Sequence, residues 1–171
     1  MIVAAVIDGW KLKVPNKITY PMILAGWAYS SIAFALQGQP WYMGLWGSVL
    51  GTLLGFVLLW PISAIGGMGE GDVKLLMGLG AWVHSLHTLY AFSVGAIVGG
   101  VLAMLMVIVS GEWRKHCRQF GMIASEIVTI KNPDRLAERA AERKPSMRLL
   151  PYGIPITIGA VLYFAWMGML V

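Results

Sequence analysis

The sequence predicts an all-α integral membrane protein, a polytopic bundle of about six transmembrane helices. Three observations predict it. Of 171 residues, 58% are hydrophobic and 12% are charged, whereas a soluble domain carries about 25% charged residues. Mean hydropathy is +0.71. The apolar residues fall in runs, several of them near the roughly 20 residues that a helix needs to cross a bilayer. So few charges cannot coat a water-exposed surface, which excludes a soluble globular domain, a disordered tail and a coiled coil. The 21 glycines and 8 tryptophans suit helices in close contact, with aromatic belts at the interfaces. The one cysteine, Cys117, excludes an internal disulfide and a multi-cysteine zinc site.

The segments follow in order. Residues 1–7 are apolar and run straight into Asp8. Seven helical residues rise about 10 Å against a hydrocarbon core of about 30 Å, so this half-length segment either continues upstream or is sheltered by neighbours. It has neither the basic n-region nor the small-residue cleavage site of a signal peptide. Apolar runs follow at about 20–37 and 41–62. A short or tilted span at 73–84 starts beside Asp72 and Lys74. Two more runs lie at 88–110 and 149–171. Within them, Gly47, Gly51 and Gly55 recur every four residues, as do Gly95 and Gly99. That spacing makes a groove for a neighbouring helix, and packing is the role assigned to these glycines.

Charge sets the orientation. All 13 Lys and Arg lie at 11–17, at Lys74 or between 114 and 148, and the eight acidic residues lie in or beside the same three regions. The loops near 37–41 and 84–87 carry no Asp, Glu, Lys or Arg. Six segments joined by alternating loops therefore give one charged face. The positive-inside rule makes that face cytoplasmic and leaves the C-terminus outside. The net charge of +5 is accounted for by orientation, and no nucleic-acid partner is expected. The chain reads as a single membrane domain over 1–171 with a cytoplasmic basic loop at about 111–148.

Ionisable groups at membrane depth are costly, and function is their default explanation. Asp8 ends the first apolar run. Asp72 lies in Gly66-Gly67-Met68-Gly69-Glu70-Gly71-Asp72, where four glycines in six positions (66–71) predict an irregular, water-accessible loop at the membrane edge. Either aspartate alone could be a flanking charge at a helix end. Together they lie on one side, at similar depth, on different segments. Two carboxylates within hydrogen-bond reach cannot easily both ionise, so one keeps a proton. Such a dyad can deprotonate a water for attack on a peptide carbonyl and protonate the carbonyl oxygen. This is aspartic protease chemistry, and it needs no metal or cofactor. No serine has a base beside it.

Three stretches carry a family resemblance. Gly66 to Leu75, with Gly69-Glu70-Gly71-Asp72 at its centre, resembles the GxGD signature of type IV prepilin leader peptidases. Asp8 followed by Val14-Pro15-Asn16-Lys17-Ile18-Thr19 resembles that family's first aspartate and the Pro-Asn stretch after it. Leu150-Pro151-Tyr152-Gly153-Ile154-Pro155 resembles the Pro-Tyr-Gly element that opens its last helix. The resemblance implies a bacterial inner-membrane aspartic endopeptidase that removes the short basic leader of prepilins or pseudopilins, at the cytoplasmic face, just before their transmembrane helix. It makes Asp8 and Asp72 the catalytic pair and Gly69 and Gly71 the loop that lets Asp72 approach. It also suggests active-site support from Pro151, Tyr152 and Gly153. Bifunctional members carry an added domain with paired cysteines, often described as zinc-binding, and also methylate the new N-terminus. This sequence has no CxxC, so neither zinc nor methyltransferase activity is expected. It is more like the compact, catalytic-core-only peptidases of tight-adherence pilus systems.

Other features have plainer readings. Lys74, two residues from Asp72, is a snorkelling topology anchor or a cation that favours ionised Asp72. Glu70 reads as solvated. Asn132-Pro133 predicts a helix start, with Arg135, Arg139 and Arg143 on one stripe and Asp134, Glu138 and Glu142 beside it. That helix is expected to lie against anionic lipid headgroups, or to meet a basic substrate leader through its acidic stripe. His84 and His87 could share a metal at that spacing, but lack a third ligand and read as an interfacial loop. The competing function is a non-enzymatic transporter or assembly subunit that couples ions through the aspartates. It predicts inverted repeats or polar residues at the bilayer midplane, and the sequence shows neither.

Overall fold

The computed structural model describes residues 16–64, 68–111, 113–130, 132–143 and 152–168. Asp8 and Pro151 lie outside them. Among the described residues every regular element is a helix: α1 (Asn16–Leu36), α2 (Trp41–Ala64), α3 (Glu70–Ser110), α4 (Trp113–Thr129), α5 (Pro133–Arg143) and α6 (Gly153–Trp166). The all-α class is as the composition predicts. Two of these helices, α2 and α3, are long and apolar enough to cross a membrane, and α6 is a shorter apolar helix. The rest of the chain buries only 28% and 6% of the most apolar stretches of α2 and α3, so neither is the shielded core helix of a soluble protein. Trp46, Val57, Ile97 and Met104 on these helices are all more than half exposed. Large apolar side chains outside and small residues inside is the pattern of helices packed in lipid.

The glycine stripes lie where helices touch. A Cβ on Gly51 would fall into the Gly80 carbonyl, and one on Gly80 into the Gly51 carbonyl. A Cβ on Gly55 would meet the Leu76 carbonyl oxygen at 2.7 Å, and one on Gly47 the His84 ring at 3.2 Å. These pairings run α2 antiparallel to the first part of α3. Likewise a Cβ on Gly159 would strike the backbone of Gly95, and one on Gly99 would reach Pro155 at 3.3 Å, so α6 runs antiparallel to the later part of α3. Dispersion and interhelical hydrogen bonds then hold the helices together, since lipid offers no hydrophobic drive for one apolar helix to meet another. Ser48 Oγ donates to the Ala81 carbonyl, Trp27 Nε1 to Thr52 Oγ1 at 3.0 Å, and Trp82 Nε1 to the Met22 carbonyl at 2.9 Å. Leu59, Val73, Leu76, Leu79, Ala91, Ile156, Ala160 and Tyr163 form one buried cluster from α2, α3 and α6.

The 84–87 loop expected from sequence is replaced by a kink. Helical structure runs from Glu70 to Ser110 and is interrupted at His84, with φ 63 and ψ −179. Such backbone costs a non-glycine residue on the order of 1–3 kcal/mol, and neighbours hold it there. His84 Nε2 lies 2.6 Å from Ser30 Oγ, Thr88 Oγ1 donates to the His84 carbonyl, and the Phe34 ring sits at 5.9 Å. His87 Nδ1 lies 2.8 Å from the Tyr163 hydroxyl. Both histidines thus tie helices together, and neither belongs to a loop.

The 111–148 region is more regular than its charge pattern suggests. It contains α4 as well as the predicted α5. The Asn132 carbonyl accepts from the Leu136 N–H at 3.3 Å, which starts α5 where the Asn-Pro pair predicts. Leu136 is buried, and α5 touches α2.

Candidate active site

Asp72 sits in the first turn of α3, and this corrects the loop expected from the glycines. Gly69 is extended (φ −76, ψ 144) and Glu70 begins the helix. The irregular backbone therefore ends before the aspartate. A glycine in a helix costs about 1 kcal/mol, but the buried run Val73, Leu75, Leu76 and Leu79 packs only if the chain is helical from there. Two carboxylates in the first turn also suit the positive end of the helix dipole. The Asp72 N–H donates to the Gly69 carbonyl at 3.2 Å. A Cβ on Gly69 would lie 3.6 Å from Asp72 Oδ2, an ordinary contact. The φ of Gly69 is open to any residue, so its backbone does not by itself demand glycine. Gly71 lies half-buried in the helix's first turn.

Asp72 is only 5% exposed, whereas Lys17, Glu70, Arg135 and Arg139 are exposed. Lys74 turns toward α1. Its Nζ donates to Asn16 Oδ1 at 2.9 Å, lies 3.9 Å from Glu70 Oε2 and stands 5.8 Å from the centre of the Tyr20 ring, within cation–π range. The Glu70 side chain is 86% exposed, solvated as its position in the motif suggests. Leu75 packs against Ile18 and Met22, and Ser30 meets His84. α1 and the first part of α3 therefore run parallel, and their starts lie together at one end. Asn16 stands out as a residue of this site only once the structure is seen. It belongs to the Pro-Asn stretch, yet nothing in the sequence pairs it with Lys74, 58 positions away.

Asn16→Ala removes the Lys74 acceptor. Lys74 is about a quarter exposed, so the loss is screened to about 1 kcal/mol. The melting temperature of the detergent-solubilised protein is expected to fall about 2–4 °C. Asn16→Asp, which keeps an oxygen there, is expected to restore it.

The other sequence-predicted residues divide in two. Tyr152 and Gly153 open α6, with the Tyr152 carbonyl accepting from the Ile156 N–H at 3.2 Å. Gly153 is buried while Tyr152 is exposed. Asp8 and Pro151 lie outside the described residues. Among the described residues no cluster of three or more His, Cys, Asp or Glu side chains could hold a metal.

Comparison with known proteins bears on the same segments. The family model described as "Type IV leader peptidase family" matches residues 1–104, which include Asp8, Asn16 and Asp72. The chain is similar to the prepilin leader peptidase/N-methyltransferase of Aeromonas salmonicida (strain A449), 26% identical over 71% of this chain and 42% of that protein. It is also similar to the protein of the same name from Neisseria gonorrhoeae, 31% identical over 62% of this chain and 37% of that protein. The counterpart from Xanthomonas campestris pv. campestris is 29% identical over 63% and 37% of the two chains. The matched part of this chain spans about two-fifths of the length of these curated relatives. No solved structure matches it. With a family match over more than half its length, the chain belongs to the type IV leader peptidase family.

Proposed function

We propose that this protein is an inner-membrane aspartic endopeptidase that cuts the leader from prepilin-like or pseudopilin substrates at the cytoplasmic face. One observation carries the reading. A carboxyl that is 5% exposed stands at the start of an apolar helix, at the end of the bundle where Asn16 meets Lys74. Asp8 lies eight positions before Asn16, so the second aspartate is tethered to the same end of α1. Even fully extended, eight residues reach at most about 28 Å, which keeps Asp8 within range of that end of the bundle.

The chemistry is general acid–base catalysis by the Asp8–Asp72 pair. The ionised carboxylate takes a proton from water as the oxygen adds to the scissile carbonyl carbon. The protonated partner gives its proton to the carbonyl oxygen. The tetrahedral intermediate then collapses, the C–N bond breaks, and the leaving nitrogen takes a proton from the carboxyl that had received one. The substrate's transmembrane helix lies in the bilayer with an unwound cytoplasmic end, which places the scissile bond at the level of the α3 start. The positive charge at 11–17 and at Lys74 supports a cytoplasmic position for this end. The chain then crosses the membrane several times and ends outside. Tyr152 and Gly153 support the site from the start of α6.

The test is co-expression with a candidate prepilin, read as a mobility shift. A shift to the leader-free size is expected. A protein that leaves every prepilin-type substrate uncut, yet takes up ions when reconstituted, would overturn the assignment in favour of ion coupling.

A further inference from the structure

A cavity of about 390 Å³ opens between α4 and α5, lined by Thr129, Ile130, Asn132, Arg135 and Arg139. We propose that it binds a phosphate group, supplied by the headgroup of an anionic membrane lipid. Arg135 and Arg139 are four apart on α5, so their side chains leave the same helix face one turn apart. A guanidinium presents its N–H donors as a planar fork that matches two phosphate oxygens at once. Thr129 lines the cavity at the end of α4 with its hydroxyl donating to the Ser125 carbonyl at 2.7 Å, and Ile130 adds an apolar wall. Arg139 already has an anionic neighbour in Glu126, but Nη1 and Oε1 are 3.8 Å apart and Arg139 is 62% exposed. The contact is long and its arginine end is solvated, while Glu126 is 21% exposed, and five N–H donors leave the guanidinium able to hold a second anion.

The position favours a lipid over a dissolved anion. α4 begins three residues beyond the end of the apolar α3, and α5 touches α2 and buries Leu136. Through α5 the cavity is therefore fastened to α2, one of the helices long and apolar enough to cross a membrane. α4 carries exposed Met122 and Val128, apolar side chains that suit a helix at a lipid surface. Ile130 gives the cavity a face that a glycerol backbone can touch and a free phosphate cannot use. The inference is independent of the proposed peptidase activity, and its test does not use cleavage.

The test uses the full chain, delipidated in detergent, with melting followed as phosphatidylglycerol, phosphatidylcholine or inorganic phosphate is added. Phosphatidylglycerol is expected to raise the melting temperature well above the effect of phosphatidylcholine. Arg135→Gln with Arg139→Gln should weaken the apparent affinity at least about tenfold, since two charge-assisted contacts are lost. Arg114→Gln with Arg118→Gln removes the same charge from outside the cavity and should change the affinity less than about twofold. Glu126→Gln relieves Arg139 of its competitor and should strengthen binding, which keeps the test open if the double arginine variant fails to fold. Equal stabilisation by the two lipids, or equal loss in both arginine pairs, would overturn the site. Inorganic phosphate reproducing the whole shift would overturn the lipid as its source.

Discussion

Asp72→Asn is expected to abolish cleavage of a prepilin-type substrate, and Asp8→Asn is expected to do the same. Asparagine has the shape of aspartate but can neither take a proton from water nor give one to a carbonyl oxygen. General acid–base assistance contributes about 10²–10⁴-fold, and members of one catalytic unit do not act additively. Either substitution alone is therefore expected to lower the rate at least about 10³-fold, with little further loss in the double variant. Fold should survive. Asp72 is 5% exposed, and replacing a buried carboxyl by an amide of equal volume creates no cavity and buries no net charge. A melting temperature within a few degrees of the parent, with the band shift gone, is the expected pair of readings. Normal cutting by either variant would sink the catalytic assignment. Loss of cutting together with loss of the folded protein would move Asp72 from chemistry to structure.

How much of this was legible in the sequence depends on the range of the interaction. Asp72 was legible because a carboxyl among apolar residues is expensive wherever it sits, and that cost is local. Its backbone was not. Four glycines in six positions argue for a loop by propensity, but the buried run from Val73 to Leu79 imposes helix, and tertiary packing overrides a preference of about 1 kcal/mol per residue. The start of α5 was legible because Asn132-Pro133 carries its own geometry. The kink at His84 was not. The absence of charge at 84–87 signalled a break, whereas the residues that hold His84 at positive φ come from α1, α2 and later in α3. The Lys74–Asn16 contact lies beyond sequence for the same reason, since it depends on α1 and the first part of α3 running parallel. Family resemblance brought both stretches to notice without showing that they touch.

Gly51→Val is expected to destabilise the protein strongly, and more than a change at any glycine that faces open space or a flexible side chain. The stripe Gly47, Gly51, Gly55 identifies a packing face from spacing alone, but the cost of filling it depends on what lies opposite. Opposite Gly51 is backbone: its Cβ would strike the Gly80 carbonyl and lie 2.9 Å from the carbonyl carbon of His84. Backbone cannot swing aside as a side chain can. Gly78 makes the contrast, since its Cβ would meet the end of the flexible Met22 side chain. Valine at 51 must therefore push α2 away from α3. That movement stretches the Ser48 contact to the Ala81 carbonyl and loosens the neighbours that hold His84 at its unfavourable φ. Overpacking costs about 1–3 kcal/mol where a core can adjust, and two backbones in direct contact belong at or above the upper end. A fall of roughly 5–10 °C in melting temperature follows for a chain of this size. Gly100 is the internal control. It lies in the same helix as Gly80, but nothing stands within 4 Å of its Cβ position. Gly100→Ala should be neutral or slightly stabilising, because alanine is the better helix former by about 1 kcal/mol. If Gly51→Val and Gly100→Ala melt alike, the close approach of α2 to α3 at Gly51 and Gly80 is wrong. If only Gly51→Val falls, and cleavage is lost in the same temperature range, the small-residue contact is what keeps Asp72 at the depth where the chemistry is proposed to occur.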